Sequence, residues 1–188
     1  VIQQAAEDEG GWSPEIVCVE PFPTSFLRRE HEAGRIVLHS EMAQTVDLDV
    51  LTSLGDGGML FVDSTHTVKP GSEVLRIVLE VMPRLAAGTH VHFHDIYFPY
   101  DFTPRFMEDV VFFNRESAFL HAFLINNAQF EISASLSMLH HARQAELKAL
   151  LPRYKPAPID RGLRTAPGDF PSATYLRTRA IERTGRHG

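Results

Sequence analysis

The sequence has one cysteine, Cys18, in 188 residues. A chain with a single thiol forms no internal disulfide, which suits a reducing compartment. No apolar run approaches the ~18–20 residues that a membrane-spanning helix needs. No charged-then-apolar leader is read, so a cytoplasmic location and no membrane partner are expected. Basic charge is also short: Lys and Arg number 18 against 24 Asp and Glu, a net charge of −6. A non-specific nucleic-acid binder leans the other way, so nucleic acid is not an expected partner. Repeats, low-complexity tracts and domain-splitting linkers are missing too. What is present is the balance of an ordinary globule, 44% apolar and 22% charged, in a length that suits one domain. Histidine, at 10, and phenylalanine, at 13, stand out. Histidine is the commonest metal ligand and a ready acid or base near neutral pH.

Short apolar runs alternate with helical stripes. Residues 15–19 (EIVCV), 35–39 (RIVLH), 58–62 (GMLFV) and 89–93 (THVHF) read as strands. Residues 1–9, 24–33 and 45–54 read as helices, with glycines at or just past their ends. Pro70 opens another helix, with Val74, Leu75, Val78, Leu79 and Met82 on one face. Residues 96–104 are aromatic and proline-rich and read as a loop whose Tyr97, Phe98, Tyr100, Phe102 and Phe106 either wall a pocket or pack over the sheet edge. A helix is expected over 113–127, a strand over 129–134, a helix over 137–151, a loop over 152–171 and a last strand over 172–178. Residues 181–188 read as a polar tail. Strands alternating with helices predict an α/β fold, a Rossmann-like, doubly wound, mostly parallel sheet with helices on both faces. Nearly continuous apolar strands agree with burial on both faces.

In such sheets ligands bind beyond the carboxyl ends of the strands. Glu20 follows the first strand, Asp63 the third, and His94 and Asp95 the fourth. Parallel strands would bring them to one rim. A carboxylate there accepts both hydroxyls of a ribose, or caps the next helix. Asp63, His94 and Asp95 together make a candidate divalent-cation site, with plain hydrogen bonding as the alternative. His90, His92 and His94 alternate and so share a face, but span about 13 Å, too far for one small site. His66, three residues after Asp63, is placed to act as a general base, and Lys69 is a weaker second candidate.

With these residues in hand, the chain resembles the class I S-adenosylmethionine-dependent methyltransferases of the small-molecule type called methyltransferase family 24. The resemblance rests on VEPFP at 19–23, FLRR at 26–29, LFVDSTH at 60–66, KPGS at 69–72, VHFHDI at 91–96, FP at 98–99 and AFL at 122–124. It covers roughly residues 15–135. It implies that Glu20, with Pro21 and Phe22 beside it, holds the cofactor ribose. It implies that Met42 and Gln44 flank the adenine and that Asp63 faces the cofactor as well as the chemistry. In related metal-dependent O-methyltransferases similar positions bind a divalent cation (magnesium or another), here Asp63, His94 and Asp95. His66 stands where those enzymes carry a lysine base, and His94 where an aspartate is more usual. The family's first strand and glycine-rich loop find no match, since Gly10, Gly11 and the glycines of 55–58 are misplaced. Residues 1–180 are therefore expected to be a single, N-terminally truncated methyltransferase-like domain.

The expected function is methyl transfer from S-adenosylmethionine to an oxygen of a small molecule, with His66 and Asp63 as catalytic residues and a metal as an optional assistant. A homo-oligomer is left open. The alternatives are an inactive or truncated cofactor-fold binding module and, less well supported, a cupin-type metal oxygenase suggested by His92-x-His94. A Ser/His/Asp hydrolase built on Ser64 lacks the glycine-flanked elbow that such a serine needs.

Overall fold

The computed structural model describes residues 2–55, 57–100, 115–156 and 171–180. The chain divides into two compact units, 1–50 and 51–188.

The first unit opens with α1 (Ile2–Glu9). Strand β1 (Val17–Val19) pairs in parallel with β2 (Val37–His39), Val17 opposite Val37 and Val19 opposite His39. Between them α2 (Ser25–Glu32) packs against β2. Thr24 caps α2: its side-chain oxygen accepts the Leu27 N–H at 3.3 Å, satisfying a donor that the first helical turn leaves open. Arg35 grips the Glu30 carboxylate with two N–H groups, each at 2.6 Å. Gln3 adds a third hydrogen bond at 2.8 Å. The Arg35 and Gln3 hydrogen bonds, against a desolvation penalty, hold the Glu30 pKa down at about 2. Helix α3 (Leu48–Thr52) lies at the boundary of the two units.

The second unit is built on a four-stranded sheet in the order β3-β4-β6-β5, formed by β3 (Met59–Val62), β4 (His90–His94), β5 (Phe130–Ser135) and β6 (Ala173–Thr178). β3 and β4 are parallel, whereas β6 runs antiparallel to both of its neighbours. The expected single, mostly parallel sheet is thus corrected to a parallel pair in one unit and a mixed sheet in the other. Part of the reason is visible in the late strands: QFEISA alternates apolar and polar residues, the pattern of antiparallel pairing, and SATYLRT does so over its first four. Burial on both faces is corrected as well. Val91, Phe93 and Leu176 on one face are fully buried, while Met59 and Phe61 on the other are about half exposed.

After β3 the chain enters α4 (Glu73–Arg76), capped by Ser72, and continues as a π-turn (Ile77–Val81) and a 3-10 turn (Met82–Arg84). Pro83 lacks an N–H and its ring crowds the carbonyl four residues back, so the ladder widens and Met82 N–H reaches Ile77 O. That widening rotates the buried face. Val74, Ile77, Val78, Val81 and Met82 are buried, whereas Leu79, expected inside, is 53% exposed. Helix α5 (Glu116–Leu124) precedes β5. The expected helix over 137–151 is two helices, α6 (Leu136–Ala142), packed against β5 and β6, and α7 (Gln144–Leu150). Arg143 between them leaves the helical region, with φ −142°, and no glycine or proline marks the break. Ile96 and Phe98 are buried, so this part of the aromatic loop packs inward. Phe102, Phe106 and the tail at 181–188 lie outside the described residues. Among the described residues no helix is long and apolar enough to cross a membrane.

Candidate functional site

Parallel pairing of β3 and β4 sets Val62 opposite Phe93, so Asp63 and His94 reach the strand ends side by side. His94 Nδ1 lies 3.6 Å from Asp63 Oδ1 and 3.5 Å from Asp95 Oδ2. Asp95 takes a left-handed φ of 54°, and its Oδ1 accepts a hydrogen bond from Ser172 Oγ at 2.7 Å, just before β6. Beside it, burial first and then the Asp95 charge push the Tyr97 phenol up to about 12, against a hydrogen bond with Ser172.

Beyond Asp63 the chain folds back sharply. Ser64 Oγ accepts the His66 N–H at 3.0 Å, and His66 adopts φ 59°. Left-handed backbone is uncommon for a residue with a side chain, and such strain is held only where the surroundings over-determine it. Here Arg115 N–H donates to His66 O at 3.2 Å, and Thr65 N–H donates to Glu73 Oε1 at 2.8 Å. The turn carries the His66 ring inward, where the residue is 7% exposed. Its Nδ1 lies 2.7 Å from Glu116 Oε2, and its Nε2 3.9 Å from Asp63 Oδ1. Glu116 is fully buried at the start of α5, and Ser64 Oγ donates to the same Oε2 at 3.0 Å. Burial pulls the His66 pKa down, but the hydrogen bond and charge of Glu116, with Asp95 and Asp63 behind them, outweigh it and leave it raised.

The structure therefore brings Asp63, His66, His94 and Asp95 together. Lys69 is exposed. His92 shares the face of His94, stacks on Tyr175 at 4.2 Å between ring centroids and meets the edge of Phe61 at 4.9 Å. Burial first, then the His94 charge, lowers its pKa. Ser64 offers its proton to a carboxylate and is not seated on an imidazole nitrogen, which is the wrong polarity for a hydrolase nucleophile.

Glu20 belongs to the first unit. Its N–H donates to His39 O at 3.0 Å beyond the β1–β2 pair, and its Oε1 accepts the Phe22 N–H at 2.8 Å. An ionised carboxylate offers about four lone-pair positions, so this one retains capacity for a diol. Pro21 and Gln44 are half-buried, and Phe22 and Met42 are exposed.

A family model described as a methyltransferase domain matches residues 1–96, just over half of the 188. The chain belongs to this family of class I S-adenosylmethionine-dependent methyltransferases. No curated protein matches it. A crystal structure of a Corynebacterium glutamicum protein is similar at a TM-score of 0.45 and 12% identity, over 91% of this chain and 63% of that one. The chain thus spans less than two thirds of that protein's length. The matched stretch takes in α1 and ends at residue 96, short of the 135 to which the sequence resemblance extends. Asp63, His66, His94 and Asp95 lie inside it, and Glu116 and Ser172 beyond it.

Glu116 is the buried partner of His66 that the sequence reading missed. Its signal was a carboxylate opening the mostly apolar helix ESAFLHAFL. Among the described residues no group of three or more His, Cys, Asp or Glu side chains is placed to hold a metal ion. His94 Nδ1 lies within ion-pair distance of both neighbouring carboxylates. The trio Asp63, His94 and Asp95 is not such a group among the described residues.

Proposed function

We propose that this chain methylates an oxygen of a small molecule, using S-adenosylmethionine. The observation that carries this reading is the buried His66–Glu116 pair beside Asp63 at a strand end, in a chain of this family. Glu20 holds the ribose hydroxyls, with Pro21 and Phe22 beside it, and Met42 and Gln44 flank the adenine. Bound S-adenosylmethionine would supply an electrophilic methyl on a positively charged sulfur, and S-adenosylhomocysteine would leave with the electron pair of the broken S–C bond. The acceptor hydroxyl must lose its proton as the new O–C bond forms. His66 Nε2 takes that proton, and Asp63 and Asp95 stabilise the resulting imidazolium. The remaining contribution of the protein is alignment of acceptor and methyl for in-line displacement.

Isothermal titration with S-adenosylmethionine, followed by methylation assays on a panel of hydroxylated small molecules, tests this. Binding is expected, and Glu20→Ala weakens it roughly ten- to hundredfold, the loss of charged hydrogen bonds worth about 1.5–3 kcal/mol. Binding without turnover on any hydroxyl leaves a cofactor-binding module. No binding overturns both.

A further inference from the structure

We infer that Glu116 is a positioning residue for His66: its buried carboxylate fixes the imidazole proton on Nδ1 and so leaves Nε2 as the nitrogen that receives a proton. This rests on the reading of His66 as the base. Nδ1 lies 2.7 Å from Glu116 Oε2. An ionised carboxylate only accepts, so the ring nitrogen facing it must carry the hydrogen. Ser64 fixes the same geometry twice, donating from Oγ to Glu116 Oε2 at 3.0 Å and accepting the His66 N–H at 3.0 Å. Ring and backbone of His66 are thereby tied to one hydroxyl. Glu116 arrives from a helix 50 residues further along the chain and is fully buried. Burying a carboxylate is costly, and an apolar side chain would fill the volume more cheaply. A carboxylate behind an imidazole whose far nitrogen faces the strand ends is the arrangement that orients a general base.

The test is a long-range proton–nitrogen NMR spectrum of the full chain with 15N-labelled histidine, His66 being assigned with His66→Gln. Neither cofactor nor acceptor is present, so the result is independent of whether methyl transfer occurs. Above the pKa of His66, Nδ1 is expected to show a protonated shift and Nε2 an unprotonated one. In Glu116→Leu the Nδ1-protonated form falls to a minority, and Glu116→Asp restores it. A proton on Nε2 in the unaltered chain, or an unchanged tautomer in Glu116→Leu, overturns the inference. If Glu116→Leu does not fold, the spectrum of the unaltered chain decides alone.

Discussion

His66 is asked to do two things that pull against each other with pH. Its pKa in the folded chain is raised, with Glu116 outweighing the cost of burial. An unfolded histidine titrates near ~6.5. The charged pair therefore contributes its full stability below about pH 6.5, and loses it as pH rises through the higher folded value. A base must be neutral to accept a proton, so methyl transfer gains over that same window. The melting temperature is expected to fall, and the initial rate to climb, as pH rises above neutrality. Parallel rate and melting profiles check this, and two curves moving the same way would contradict it. His66→Ala should lower turnover by about 10²–10⁴, the usual worth of a positioned acid or base, while titration shows unchanged affinity for S-adenosylmethionine. Equal losses in both would assign His66 a purely structural part.

At the scale of the element, the helix after Pro70 shows where pattern reading succeeds and where it stops. A regular stripe places both Leu79 and Met82 inside, but the ladder widens before Pro83 and only Met82 stays there. Met82→Ala should then cost about 2–5 kcal/mol, as for a core truncation. Leu79→Ala should stay within about 0.5 kcal/mol, as for a surface change. Urea denaturation of both variants checks the contrast, and comparable losses would mean that the regular stripe is right. The same distinction runs through the site. Asp63, His66, His94 and Asp95 were legible because they lie at ends of neighbouring strands close in sequence, where parallel pairing alone brings them together. Glu116 was not, because a pairing across 50 positions leaves no local signature. The reversed direction of β6 is barely legible: SATYLRT alternates only over its first four residues, and nothing in it names β4 and β5 as neighbours. Arg143 breaks a helix without proline or glycine, and no local rule marks it.

For the whole molecule, a ligand that binds only the folded chain raises its stability by mass action. At one hundred times its dissociation constant, S-adenosylmethionine would add about 2.7 kcal/mol, or about 5–10 °C in melting temperature for a chain of this length. Glu20→Ala should shift that gain to higher cofactor concentration without erasing it, because in the proposed reading Pro21, Phe22, Met42 and Gln44 hold the nucleoside as well. A resident divalent cation would add a second increment by the same law. The donors around His94 are turned toward one another and form no such site among the described residues. Exhaustive treatment with a chelator is therefore expected to leave both the melting temperature and the cofactor-induced shift in place. A drop in either would show that the chain holds a metal, and would reopen the metal-assisted form of the reaction.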